Sequence, residues 1–358
     1  MLHTRDDKSV RATGCTPEDE HSRDEHASHT NLLAPTVEPP QPVFRLSSEA
    51  TSILVTDKVP RIPPRRLALC GGGMRCIAHI GVFRALERYG FLRCVKEVIG
   101  ISGGALFALM VCLGYKVAEI EKLALELDFE ALAHIEPETL LDFPQSLGCN
   151  SGQAMQQLVG SILKQKGLSP TATFADADAA SKFVVGFRCY ATEVQTARSL
   201  EFSVAKTPNL AIVTALRATT ALPFLYSPVQ DPSAPHTLWT DGGVLHNVPF
   251  AFLSDHEKCH TWAVQFLAKT GGKPSEKIQD PLDYLQYIYT AAFEMKNRFL
   301  YEKYPDQILQ IPIPTKTALH FHLTKDDRQE LITHAESITL SFLHTRVHPP
   351  PRRRFSAA

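Results

Sequence analysis

The chain reads as an α/β protein built on a parallel sheet, and the reading rests on a repeated pattern. A short buried strand, Leu67-Ala68-Leu69-Cys70, is broken by Gly71-Gly72-Gly73 and followed by a helical segment from Met74 to Tyr89. A second strand, Val95 to Ile101, runs into Ser102-Gly103-Gly104 and an apolar helix from about Ala105 to Leu113. Strand, glycine loop and helix therefore occur twice within about fifty residues, the order in which parallel strands are joined. In the first helix Arg84, Glu87 and Arg88 are three and four apart and share one face.

The remaining elements follow in order. Glu119 to Gln145 is mixed helical and irregular, and Leu140-Leu141-Asp142-Phe143-Pro144 within it reads equally as a cover or as a loop packed by its own side chains. Then come a helix near Gln153 to Lys164, a strand pair within Phe183 to Val204 and a helix from Asn209 to Thr219. Strands around Thr237 to Thr240 and Trp262 to Phe266 precede two helices, roughly Pro281 to Tyr301 and Lys325 to Leu343. The organisation is a polar extension over 1–60 and a domain over 61–347. The domain has its motif-bearing core at about 65–266 and a helical part at about 277–347, and a basic tail, 348–358, ends the chain.

Composition bounds the function. With 358 residues, 44% hydrophobic and 21% charged, the chain can bury a large core. A net charge of -1 argues against nucleic acid as a general partner. The first ten residues, MLHTRDDKSV, carry charges where a secretory signal needs an apolar core. The longest wholly apolar run, Ala105 to Leu113, is about half a bilayer span. Eight cysteines at irregular spacings form no Cys-x-x-Cys pair, so neither a zinc knuckle nor a disulfide framework is indicated. A cytoplasmic protein meeting a membrane through a local patch is expected. The His-rich acidic stretch EDEHSRDEHASH reads as solvated charge, not as a metal site.

Gly100-Ile101-Ser102-Gly103-Gly104 fits Gly-x-Ser-x-Gly, in which a serine tops a strained strand-to-helix turn and small neighbours clear the approach. The helix that follows favours negative charge developing at its N-terminus. The glycines at 71 to 73, ending a neighbouring strand, offer free N–H groups to an oxyanion. Gly71-x-Gly73-x-x-Cys76 is also nearly a dinucleotide fingerprint, but that reading wants a ribose-binding acid where the second strand ends in Ile101-Ser102. Thr240-Asp241-Gly242-Gly243 places a carboxylate at a strand end, read as a base or as a plain Asp-Gly turn. A Ser-Asp-His triad stays open, because His246, His256, His260, His320, His322, His334, His344 and His348 all follow Asp241.

Together these blocks resemble the patatin-like phospholipase family. Gly71-Gly72-Gly73-Met74-Arg75 resembles its oxyanion loop, Gly81 to Glu87 with Gly90 its next helix, and Gly100 to Leu106 its elbow. Ala191-Thr192-Glu193 with Thr196 and Phe202, Ala218 to Pro223, and Asp241 to Val244 with Asn247 and Pro249 continue the match. The similarity covers about Arg65 to Phe266. It implies a three-layer α/β/α sandwich with a largely parallel sheet and a phospholipase A-like acyl hydrolase. The resemblance assigns Ser102 as nucleophile and Asp241 as base, without a histidine, cofactor or metal.

Gly71, Gly72, Gly73 and Gly103 would bind the oxyanion, while Arg75, Gly100, Gly104, Gly242 and Gly243 would support the site. The implied partner is a lipid ester at a membrane or micelle surface, with a protein activator left open. Cys76 departs from the family's usual glycine and favours the alternative, a patatin-fold lipid-binding scaffold without catalysis. It either crowds the helix start or tilts the loop.

Overall fold

The computed structural model describes residues 63–268, 278, 281–313, 319 and 321–347. The expected polar extension and basic tail lie outside the described residues. β1 (Arg66–Leu69) leads through a 3-10 turn (Gly73–Ala78) to α1 (His79–Arg88), and β2 (Glu97–Ile101) leads to α2 (Gly103–Cys112) and α3 (Val117–Glu126). Short helices α4 (Glu130–Ala133), α5 (Pro137–Leu141) and α6 (Phe143–Ser146) precede β3 (Gly148–Asn150), α7 (Gln153–Gln165) and α8 (Phe174–Ala179). Next come β4 (Gly186–Glu193), β5 (Arg198–Ser203), α9 (Ile212–Thr219), β6 (Phe224–Tyr226), β7 (Val229–Asp231) and β8 (Ala234–Asp241). The described chain ends with α10 (Asp255–Lys258), β9 (Thr261–Ala268), α11 (Pro281–Lys303), β10 (Ile308–Ile313) and α12 (Lys325–Val347).

Eight strands form the central sheet in the order β10-β9-β1-β2-β4-β8-β7, with β5 paired to β4 off that path. From β10 to β4 every neighbouring pair is parallel, whereas β5, β8 and β7 run antiparallel to their partners. The parallel part is buried on both faces, which is why Leu67, Ala68, Leu69, Val98, Ile99 and Ile101 read as continuous apolar runs instead of alternating ones. Helices flank the sheet, as an α/β/α fold requires. α2, apolar all round and almost wholly buried, packs on β2 and β4.

The short elements β3, β6, β7, α8 and α10 have no counterpart in the sequence reading, and two further differences have a clear physical cause. The helix expected from Met74 starts as a 3-10 turn, because Arg75 N–H closes onto Gly72 O at 3.1 Å, three residues back, and winds the loop tightly. β10 escaped the sequence reading because Ile-Leu-Gln-Ile-Pro-Ile carries a proline. As the edge strand of the sheet it can lack the N–H that Pro312 does not have.

α12 buries Ile332, Ala335, Thr339 and Leu343, spaced three, four and four apart, and lies against α1. Gly81 is the point of closest approach, where a Cβ would run into Ile332 O and Glu336 N. Gly81→Ala is therefore expected to push α12 off α1 and cost about 2 kcal/mol or more of stability, read as a lowered midpoint in urea denaturation with activity per folded molecule retained.

Candidate active site

The site forms where parallel strands end. Ser102 follows β2 directly and has φ 53° and ψ -133°, a left-handed conformation that a serine adopts only under constraint. The constraint is visible. Ser102 N–H donates to Thr219 Oγ1 at 3.0 Å, and Thr219 Oγ1 donates in turn to Tyr190 O of β4 at 2.5 Å. Beneath the turn there is no room for side chains, since a Cβ on Gly100 would enter the Ala105 backbone and one on Gly104 would enter Cys70 O. The elbow is thus clamped between the end of β1 and the start of α2.

Register explains how Asp241 reaches it. Ile101 pairs with Tyr190, so the next row of the sheet holds Ser102 at its β2 end and Ala191 in β4. Ala191 pairs with Asp241 of β8, which comes back antiparallel into that row. The last residue of β8 therefore stands level with the elbow, with only β4 between them. Asp241 is buried, its carboxyl accepts a hydrogen bond from Gly243 N–H at 2.7 Å, and the Ser102 side chain lies beside it, close enough to favour its ionised form. Its backbone is held on both sides, Asp241 N–H donating to Ala221 O at 3.0 Å and Asp241 O accepting from Thr192 Oγ1 at 3.0 Å. Gly242 permits this bend, because any Cβ there would collide with Tyr190 O.

The glycine loop faces the same space. Gly72, Gly73 and Gly103 line a cleft with Ser102 and Asp241, and among the described residues their N–H groups have no acceptor. Gly71 takes a different part from the donor role the sequence suggested. Its N–H already donates to Asn247 O at 3.1 Å, its carbonyl accepts from Asn247 Nδ2 at 3.0 Å, and a Cβ would lie 3.0 Å from that of Ser102. Gly71 is the place where loop, nucleophile turn and the segment after Asp241 come into contact. Arg75 is buried in the cleft wall with Nε 3.4 Å from Gly72 O, where it braces the loop. The cleft encloses about 990 Å³ including its open mouth, and apart from the groups named its wall is chiefly apolar, with Leu106, Phe107, Leu132, Met155, Leu225 and Phe321.

A family model described as patatin-like phospholipase matches residues 67–253, about half of the chain. The chain belongs to the patatin-like phospholipase family. This membership supports lipid hydrolase function. Among curated relatives, the uncharacterized protein YqhO of Bacillus subtilis (strain 168) is 26% identical over 287 residues, 76% of this chain and 96% of YqhO. A probable lipid hydrolase, 463L, of Invertebrate iridescent virus 6 is 22% identical over 52% of this chain and 61% of its own length, so the match spans under two thirds of that relative. The crystal structure of VipD from Legionella pneumophila superposes with a TM-score of 0.53 at 16% identity, covering 80% of this chain and 67% of VipD. That likeness shows the fold.

Within this patatin-like site the histidine alternative finds no candidate. Among the described residues no histidine lines the cleft or bonds to Ser102 or Asp241. His246 packs edge-on against Phe252, His256 and His260 pair with each other, His322 meets Glu130, and His334 bonds Pro312 O. His344 stands near the end of α12, and His320 and His348 lie outside the described residues. Cys76 is buried against Gly103, where a Cβ would lie 2.9 Å from its Sγ, and burial pushes the thiol well above its ordinary pKa, so it stays protonated. Its bulk is absorbed beneath the helix start while Gly72, Gly73 and Gly103 still face the cleft. Thr219 and Asn247, which carried part of the resemblance without an assigned role, are the residues that hold elbow and loop in place.

Burial raises the Asp241 carboxyl from 3.8 to about 7, against the opposing hydrogen bonds from Ser102 and Gly243. Only the ionised form can take a proton, so kcat/KM on a soluble ester is expected to fall about tenfold per pH unit below an apparent pKa near 7. A flat profile between pH 5 and 8 would remove Asp241 as the base. Linkage gives a second test. Because the folded pKa lies above the unfolded one, the folded state holds the extra proton between the two values, and stability is lost as pH rises from about 4 to about 7. Asp241→Asn removes that penalty and is expected to raise stability by roughly 1–4 kcal/mol at pH 8 and less at pH 5, measured by thermal denaturation.

Proposed function

We propose that the protein is a phospholipase A-like acyl hydrolase, cleaving carboxylic ester bonds of phospholipids or related lipids at a membrane or micelle surface. The observation that carries this reading is the convergence of Ser102, held in a strained elbow, and the buried carboxyl of Asp241, pushed up to about 7 by burial, on one cleft. In water a serine hydroxyl is a weak nucleophile. A carboxylate beside it, with a pKa raised toward neutral pH, removes that handicap.

In the first half-reaction Ser102 Oγ attacks the ester carbonyl as its proton passes to Asp241. Negative charge builds on the carbonyl oxygen, where the N–H groups of Gly72, Gly73 and Gly103 stabilise it without reorganising. Collapse of the tetrahedral intermediate breaks the ester C–O bond, and the departing alcohol, a lysophospholipid for a phospholipid substrate, takes the proton from Asp241. In the second half-reaction water attacks the acyl-enzyme, Asp241 accepts its proton, and the released serine oxygen recovers it as the fatty acid leaves. The apolar wall of Leu106, Phe107, Met155 and Leu225 suits the acyl chain.

The test uses phosphatidylcholine vesicles incubated with wild type, Ser102→Ala and Asp241→Asn, with lysophospholipid and fatty acid quantified by mass spectrometry. Both variants are expected to lose activity by roughly a thousandfold or more, and a fluorophosphonate ester is expected to label Ser102 in the wild type. Equal product from wild type and Ser102→Ala would sink the proposal.

A further inference from the structure

α11 is apolar on two opposite faces, and the candidate active site uses one of them. On the inner face Tyr289 lines the cleft, Asn297 is buried and Leu300 packs on the core. On the same side Lys296 Nζ donates to Val244 O and Leu245 O at 3.2 Å, just beyond Asp241. The outer face carries Tyr284, Ile288, Met295 and Phe299, spaced four, seven and four apart, which aligns them in one stripe. These side chains are exposed, Met295 by 82% and Phe299 by 67%. Arg298 and Lys303 are exposed nearby. An apolar stripe of this length facing water has no folding purpose.

A second set of exposed apolar side chains lies on α5 and around β3 and β6, elements packed on one another, of which β6 gives Leu225 and Tyr226 to the cleft wall. Leu140 and Leu141 end α5, and Leu147 and Phe224 stand where β3 meets β6, Phe224 being the neighbour of Leu225 in the cleft wall. Leu147 and Phe224 have φ of 56° and 68°, positions where glycine or asparagine would relieve the backbone and leave less apolar surface in water. Two large apolar residues held there, exposed and strained, point to a role in contact and not in folding.

We propose that the outer stripe of α11, together with Leu140, Leu141, Leu147 and Phe224, seats the protein on a lipid surface with the mouth of the cleft toward it. Elements shared with the cleft select lipid over other occupants. α11 lines the cleft through Tyr289 and β6 through Leu225 and Tyr226, and each also carries an exposed apolar side chain of this set, Ile288 and Phe224. A lipid surface met by those side chains lies against the elements that form the wall beside Ser102. α11 lies in the interface instead of spanning it, since its inner face stays on the protein, and Arg298 and Lys303 can reach headgroup phosphates.

The inference rests on the lipid-hydrolase reading but is tested without hydrolysis. Full-length Ser102→Ala protein is mixed with phosphatidylcholine–phosphatidylglycerol vesicles, and its partition is measured by sedimentation. Adding Met295→Glu with Phe299→Glu is expected to lower the partition coefficient roughly tenfold or more, whereas the charge-matched pair Gln156→Glu with Gln157→Glu on exposed positions of α7 leaves it unchanged. Leu140→Glu with Leu141→Glu is expected to act like the α11 pair, and it decides the matter should that pair fail to fold. Unchanged partition in the variants, or no partition of the Ser102→Ala chain, overturns the proposal. So does loss of self-association with partition intact, which would make the stripe a contact between copies. Vesicle binding with no hydrolysis by the wild type would leave the docking surface standing and the catalytic reading fallen.

Discussion

Everything at the site depends on one hydrogen-bonded relay, from Ser102 N–H to Thr219 Oγ1 to Tyr190 O. A serine at φ 53° is disfavoured by an amount on the order of 1–3 kcal/mol, and such a residue persists only where its surroundings leave no alternative. The relay uses a side chain from the end of α9 to lock the turn after β2 to the middle of the sheet. It also consumes the N–H of Ser102 itself. Among the described residues the donors left open toward the cleft are those of Gly72, Gly73 and Gly103. Asn247 ties that loop to the chain beyond Asp241 through two backbone-directed bonds, so Ser102, Asp241 and the open donors are joined through three segments far apart in sequence.

The same architecture places a carboxylate where it costs stability. Asp241 is buried, with one hydrogen bond from Gly243 and the Ser102 side chain in place of the water an ionised carboxylate would hold, and its affinity for a proton rises accordingly. A structural aspartate in that position would be poor design. A base that must be ionised near neutrality, yet basic enough to take a proton from a serine, is served by that environment. The antiparallel return of β8 makes it available, because it delivers a strand's last residue into the row of the sheet that a parallel strand would only enter midway.

Much of this was legible in the sequence, for a physical reason. Glycines at 100, 104 and 242 mark places where backbone approaches backbone too closely for a side chain, those at 71 and 103 leave room for the side chains of Asn247 and Cys76, and Gly73 takes φ 54°, demands local enough to leave a pattern. Ser102 and Asp241 are singled out as candidate nucleophile and base by such patterns together with the family resemblance. What joins them did not. The alignment of Ser102 with Asp241 is a matter of β2-β4-β8 register, and register is set by packing across the sheet. Gly71 looked like one more donor in a run of three, and only the position of Asn247, far along the chain, shows its N–H to be occupied. β10 was masked by Pro312, whose tolerance depends on lying at an edge that the sequence does not reveal.

α11 presents the converse case, a helix foreseen from its sequence whose meaning came from three dimensions. Apolar residues on two opposite faces blur a helical periodicity, because each face fills the gaps of the other. Once Tyr289, Asn297 and Leu300 are accounted for by the cleft and core, Tyr284, Ile288, Met295 and Phe299 align as a stripe in water. The cleft meets that stripe with an apolar wall of its own. A hydrolase whose substrate is dissolved in water needs a polar entrance, whereas one whose substrate lies within an assembly needs its entrance to match that assembly. The exposed apolar side chains on α11 and β6, elements that also line this cleft, fit the second kind, the reading on which the proposed docking rests.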